Sequence, residues 1–319
     1  MEELEREVRV VADQVYSYAG GLERLADLYL PAGGAARPPV VVWLHGGGWR
    51  FGDRRMAPDL KGFAQRSGLA VVSIDYRLSD EAKFPAPVED VKTAVRWVRS
   101  VAGEFGFDGG RMGLWGSSAG GHLAACAALS DEAQLISTEH PGHSSAVQAV
   151  VDGYGPTNFG RIDGDRAAMP AAGTDAESVA LGISRLLPAG DADSFESRLL
   201  GTPVSTSPRE VQLADPVHYL RGASPPFLIL HGEADSLIPC SQSQYLYRAL
   251  DDAGSDATLV LFEKLKHGFF NNRNLADEDY GTVTVAKSAR RTAAVNWECD
   301  PDEDILSMVS GFFRAYLAR

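Results

Sequence analysis

Short apolar runs along this chain alternate with longer segments whose apolar residues recur every three or four positions. Residues 40–44 (Val-Val-Val-Trp-Leu), residues 69–75, the run that ends in Leu114-Trp115, Val147 to Asp152, Phe227 to Leu230 and Ala257 to Phe262 have the length and continuous apolarity of buried strands. Between them, Val88, Val91, Ala94, Val95 and Val98 fall at helical spacing. Pro87 suits the first turn of that helix, and Gly103 is expected to close it. His122 to Leu129 and Asp304 to Leu317 read as two further helices. Arg6 to Tyr18 and Leu22 to Leu30 read as an opening hairpin around Gly20-Gly21, and Pro31 to Pro39 as a linker loop. Strands alternating with helices predict a mainly parallel sheet covered on both faces.

Two segments break the alternation. Residues 160–212 are rich in Ala, Gly, Ser and Asp, with one helix expected near Glu177 to Leu187. They follow the strand at Val147 to Asp152 and are either a cap over a site or surface decoration. Residues 271–300 are longer than the connection to the last helix requires, and long loops in compact domains tend to be functional or disordered. Trp297 in that loop either packs onto the body or lines the site entrance.

The chemistry concentrates where apolar runs end. Arg111 to Gly120 passes from a strand into Gly116-Ser117-Ser118-Ala119-Gly120, and a helix follows at once. This is the Gly-x-Ser-x-Gly pattern in the strand-turn-helix context that gives it meaning. The serine at such a turn sits in strained backbone, and the two glycines remove β-carbons that would block it. The Ser118 hydroxyl is then expected near the positive end of the following helix. Earlier, Pro39 to Leu44 leads into His45-Gly46-Gly47-Gly48-Trp49. Three glycines after a strand can turn backbone N–H groups into a cavity, where each donor to an oxyanion typically supplies ~3–4 kcal/mol. The plainer reading is a glycine-rich turn.

An acid and a base follow in order. Asp235 lies in the loop after Phe227 to Leu230, and His267 comes just after Ala257 to Phe262, with Gly268 behind it. The order Ser118, Asp235, His267 is that of the α/β-hydrolases among the serine triads. Of the seven histidines, His45 and His231 precede glycine at strand ends and are read as loop braces. His122 belongs to the helix after Ser118, His140 and His143 to a polar loop, and His218 lies just ahead of a strand. Only His267 follows the last strand, which makes it the expected base.

These motifs resemble the hormone-sensitive-lipase-like carboxylesterase group of the α/β-hydrolases, on the side of the bacterial feruloyl and acetyl esterases. The likeness rests on His45 to Gly52, Asp75-Tyr76-Arg77-Leu78, Phe84 to Pro87, Gly116 to His122, Tyr154 to Thr157, Pro225 to Pro239 and His267-Gly268-Phe269. It covers about residues 20–160 and 213–270 and the last helix. The resemblance implies a mostly parallel eight-stranded sheet, a core of 1–159 and 213–319, and a cap at 160–212. It implies that the amides of Gly47 and Gly48, with that of Ala119, hold an oxyanion, whereas Gly46 shapes the turn. Trp49 and Tyr154 either wall the pocket or only pack. Ser117 is a departure, since many lipase-like members carry an acid before the nucleophile. Kynurenine formamidases share a similar glycine motif and elbow, so an amide substrate stays open beside an ester.

Composition narrows the partners. A net charge of −13, with no basic cluster of note, argues against nucleic acid and anionic membranes. The acidic start, Met-Glu-Glu-Leu-Glu-Arg, does not read as a signal peptide, and no 18-residue apolar stretch exists. Cys126, Cys240 and Cys299 are far apart and odd in number, which reads as reduced thiols in the cytoplasm. The expected partner is a small ester; a homo-oligomer is compatible with the sequence. The chemistry calls for no cofactor and no metal. A non-catalytic binding protein on this fold would typically lack a triad member, and 319 residues leave no room for the propeller of a prolyl oligopeptidase. Few bulky apolar residues occur in 160–212, which predicts short acyl esters, about two to four carbons, or a compact aromatic acyl group, because selection by length needs a lined tunnel at ~0.8 kcal/mol per methylene.

Overall fold

The computed structural model describes residues 7–33, 37–135, 138–169, 186–222, 224–271, 275, 278–289, 295 and 297–318. The expected helix near Glu177 to Leu187 lies almost wholly outside them.

The described strands form one sheet. They are β1 (Val8–Ser17), β2 (Arg24–Pro31), β3 (Pro39–Leu44), β4 (Ala70–Ile74), β5 (Asp108–Ser117), β6 (Ala149–Gly153), β7 (Phe227–Gly232), β8 (Ala257–Phe262) and β9 (Val283–Lys287), in spatial order β1-β2-β4-β3-β5-β6-β7-β8-β9. The six from β4 to β8 run parallel, whereas β1, β2 and β9 join by antiparallel pairs. The expected eight strands are therefore nine. The extra one comes from the 271–300 segment: Val-Thr-Val-Ala-Lys pairs its edge with β8. Five residues of mixed polarity half-buried at an edge carry little hydrophobic signal, which is why they read as loop.

Alternation along the strands divides the core into two layers. On β3, Val40, Val42 and Leu44 face one layer and Val41 and Trp43 the other. The first layer is closed by α2 (Ala86–Phe105), α3 (Ala119–Leu129) and α7 (Ser241–Asp252), the second by α1 (Leu60–Ser67) and α8 (Ile305–Tyr316). Helix α2 continues past Gly103 to a left-handed Gly106 whose amide bonds the Ala102 carbonyl. Gly103 sits inside the helix because the apolar stripe extends to the buried Ala102, and tertiary burial outweighs one residue's propensity. Asp304 caps α8 by accepting from the Ser307 N–H. Trp297 packs onto the body, edge-on to Phe312 at 5.3 Å. Among the described residues, segment 160–212 contributes the short α-helices α4 (Ile162–Ala167) and α5 (Phe195–Leu200) and most of α6 (Pro208–Ala214). No helix among the described residues is long and apolar enough to cross a membrane.

The connections fix where a site can form. Strand β3 lies between β4 and β5, so the chain leaves β3 in one direction and returns on its other side. The crevice outside the carboxyl ends of the strands at such a reversal is where open α/β sheets bind ligands.

Candidate active site

Ser118 stands at that reversal. It joins β5 to α3 with φ 52° and ψ −119°, a conformation that non-glycine residues rarely adopt and that costs roughly 1–3 kcal/mol. Packing enforces it. A Cβ on Gly116 would lie 2.2 Å from the Gly120 carbonyl carbon, and one on Gly120 would lie 2.1 Å from the Leu44 oxygen. Both glycines are thus required by backbone crossing backbone. The Ser118 amide donates to the Gly153 carbonyl at 2.7 Å, which ties the elbow to the end of β6.

The glycine loop sits beside it because β3 pairs with β5, Leu44 opposite Gly116. Gly47 and Gly48 have φ of 100° and 59°. The turn closes through the Gly47 carbonyl, which accepts from the Arg50 and Phe51 amides. His45 braces this loop: its ring stacks on Tyr76 at 4.2 Å, and the Tyr76 hydroxyl donates to the His45 carbonyl at 2.8 Å. Burial pushes the His45 imidazole down to about 4, so it is neutral near pH 7.

Asp235 and His267 arrive from β7 and β8, the next parallel strands beyond β6. His267 Nε2 lies 2.8 Å from Ser118 Oγ, and His267 Nδ1 lies 2.6 Å from Asp235 Oδ2. The other carboxylate oxygen accepts from the Leu237 and Ile238 amides at 2.9 and 2.8 Å. Burial alone would raise the Asp235 pKa, but the charge and hydrogen bonds of His267 and His231 hold it far below the usual carboxylate range. His231 braces the acid loop, as expected. Its Nδ1 meets the Ser243 hydroxyl at 2.7 Å; its Nε2 lies 2.8 Å from the Ile238 carbonyl and 3.2 Å from Asp235 Oδ2. One N–H is shared between those two oxygens.

Gly48, Trp49, Ser118 and Ala119 line a cavity that is closed by Pro156, Arg166, Phe195, Glu196, Leu237 and Ile238. Its free volume is about 20 Å³, room for one or two water-sized groups, since ~10–15 Å³ holds one. A larger hollow of about 310 Å³ between 127–132, 145–147 and 219–225 lies at the far end of α3 and touches no residue of the Ser118-His267-Asp235 line. Trp49 reaches the cavity wall, and its buried Nε1 has no hydrogen-bond partner among the described residues. Tyr154 does not. Its ring lies edge-on behind His267 at 4.8 Å, and its hydroxyl accepts from the Phe270 amide. Tyr154 has a positive φ of 47°, and of the two expected roles, pocket wall or packing, its place behind the imidazole matches packing.

Sequence reasoning missed Arg166, Phe195 and Glu196, which come from 160–212 without any local motif. It also missed Asp152 at the end of β6, whose Oδ1 accepts from Gly155 and whose carboxyl burial pushes up to about 6. The Asp-Gly-Tyr-Gly-Pro run after an apolar strand was its only signal.

The comparisons agree with this fold. The BD-FAE family model matches residues 26–250, and the dienelactone hydrolase family model matches 207–297. The chain is 32% identical to esterase LipQ of Mycobacterium tuberculosis over 239 residues, 74% of this chain and 52% of that protein. It is 30% identical to the isoprenylcysteine α-carbonyl methylesterase of Arabidopsis thaliana over 247 residues, 76% of this chain and 53% of that one. The chain thus spans about half the length of these curated relatives. Among solved structures, butyrate-bound esterase 2 of Thermogutta terrifontis superposes with TM-score 0.63 at 27% identity, covering 86% of this chain and 93% of that one. A carbohydrate esterase from gut microbiota has the same fold, with TM-score 0.75 at 24% identity over 100% and 99% of the two chains. With the elbow, the glycine loop and the family match all falling on one sheet, the chain is an α/β-hydrolase and belongs to the BD-FAE family.

Proposed function

We propose that this protein is a serine carboxylesterase that hydrolyses short-acyl or compact aromatic esters through an acyl-enzyme. The unbroken hydrogen-bonded line from Asp235 through His267 to Ser118 carries the reading. His267 Nε2 takes the proton as Ser118 Oγ bonds to the ester carbonyl carbon. The carbonyl oxygen becomes an oxyanion held by the amides of Gly47, Gly48 and Ala119. The intermediate collapses, and the leaving alkoxide takes the proton from His267. Water then attacks the acyl-enzyme while His267 accepts its proton, and the acid departs from a restored Ser118. Asp235 stays ionised throughout and stabilises the imidazolium, which is the work of an acid held so far below its ordinary range.

The small cavity and Phe195 at its wall support the short-acyl preference. Segment 160–212 acts in this reading as a cap, since its side chains close the cavity. Three free cysteines support a reducing compartment, the cytoplasm. Fluorophosphonate labelling tests the reading. A single adduct on Ser118 is expected, with hydrolysis abolished in a folded Ser118→Ala variant. An adduct elsewhere, or activity in Ser118→Ala within tenfold of the parent, overturns it.

A further inference from the structure

Arg166, on α4 of the cap, reaches across the cavity to the loop that carries Asp235. Its Nε donates to the Leu237 carbonyl at 2.9 Å. The Leu237 amide in turn donates to Asp235 Oδ1 at 2.9 Å. The guanidinium is also tied to the cap: Nη1 donates to the Leu187 carbonyl at 3.4 Å and lies 3.6 Å from Asp163 Oδ1, and Nη2 lies 3.5 Å from Glu196 Oε1. Asp163 accepts from the amides of Ala189 and Gly190, where the cap chain returns. The outgoing helix, the returning chain and the acid loop thus converge on one side chain. Arg166 and Glu196 are largely buried, with side-chain exposures of 14% and 4%, so neither end of this tie is a solvated surface contact. A second tie runs parallel to it, from Gln242 Nε2 on α7 to Asp165 Oδ2 at 2.8 Å. The Gln242 side-chain oxygen accepts from the Thr157 and Asn158 amides, so that tie anchors the base of α4 and not the acid.

We propose that Arg166 is a positioning residue for the triad: it holds the Leu237 peptide, and through it the Asp235 carboxylate, in register with His267, so the acid is set only when the cap is seated. A planar, permanently charged fork suits this task, since it can bond carbonyls of two segments at once. The inference rests on the esterase reading, because a positioned acid matters only if His267 is the base.

The test compares Arg166→Ala, Arg166→Lys and Asp235→Asn, singly and combined, after active-site titration of each with a fluorophosphonate. For a p-nitrophenyl acetate and a p-nitrophenyl butyrate substrate alike, Arg166→Ala is expected to lower kcat by 10- to 100-fold, with KM moving less than threefold. The acidic limb of kcat/KM should move to lower pH, because a displaced carboxylate stabilises the imidazolium less. Arg166→Lys should recover part of kcat. In the Asp235→Asn background, Arg166→Ala should cost less than threefold, since groups acting as one unit are not additive. A rise in KM that differs between the two esters, full additivity with Asp235→Asn, or an unchanged kcat per titrated site overturns the proposal. If Asp235→Asn itself is harmless, the esterase triad fails first, and the two failures are distinguished.

Discussion

The Phe195 ring, carried by the short helix α5, lies directly over Gly48. A Cβ on Gly48 would come within 2.7 Å of Phe195 Cδ1. The segment that interrupts the strand-helix alternation therefore presses on the loop proposed to hold the oxyanion. Phe195 also meets Phe51 edge-on at 6.2 Å, so the ring meets the loop at two points.

Phe195→Ala should lengthen the acyl preference. Removing the ring opens the cavity beside Ser118, and two newly buried methylenes at ~0.8 kcal/mol each amount to about tenfold in specificity. A p-nitrophenyl ester series from C2 to C12 checks this. The parent should peak between C2 and C4, and the variant should gain about tenfold at C6 to C8 relative to C2. A parent that peaks at C12 would refute the short-acyl reading.

Asp235→Asn and Glu233→Gln separate two acids two residues apart. Asp235 bonds His267, whereas no bond joins Glu233 to it. Asp235→Asn should lower kcat by ~10³–10⁴, as loss of the orienting acid does in serine triads. Glu233→Gln should stay within about threefold. Steady-state kinetics on p-nitrophenyl acetate decide it, and the reverse ranking moves the acid role.

Two glycine-to-alanine changes should have opposite signs. Gly103 lies within α2, and a Cβ placed there meets nothing within 4 Å beyond its own turn of helix, so Gly103→Ala should stabilise by ~0.5–1 kcal/mol. Gly120→Ala forces a Cβ to 2.1 Å from the Leu44 backbone oxygen and should cost ~3 kcal/mol or more. Urea unfolding midpoints of the two variants measure both effects.

Stability should fall as the pH drops from about 6.5 to 4. Burial pushes the His45 and His122 imidazoles down to about 4, so the unfolded chain binds protons that the folded chain refuses in this window. Their contribution is complete above pH 6.5 and is lost on acidification, by at most a few kcal/mol each. Asp152, pushed up to about 6, works in the opposite sense, as do the carboxyls of Asp75, Asp90, Glu196 and Asp215 that burial also pushes up, since each folded carboxyl takes its proton before the unfolded one does. The net loss is therefore smaller than the two histidines alone would cause. Unfolding midpoints at pH 7.5 and 5.0 should show the drop, and His122→Asn should lessen it. A His122→Asn variant with the same pH dependence as the parent would contradict a buried neutral His122.

Features that depend on near neighbours along the chain are legible in the residues alone. The period of apolar residues placed the six parallel strands and α2, because burial on both faces demands an unbroken apolar run. Gly116 and Gly120 around Ser118 announced a turn that backbone sterics permit only to glycine. The order Ser118, Asp235, His267 followed from which strand each loop ends. Tertiary structure decided everything that depends on contacts between distant segments. Strand β9 exists because β8 offers an edge, and its own residues carry too little apolar pattern to announce it. Tyr154 packs behind His267, a placement no periodicity encodes. Arg166, Phe195 and Glu196 meet Ser118 only as walls of one cavity in the folded chain, and their spacing in sequence follows no period of helix or strand. A motif read along the chain finds the groups that perform a reaction; the groups that shape the space around it are brought together by packing alone.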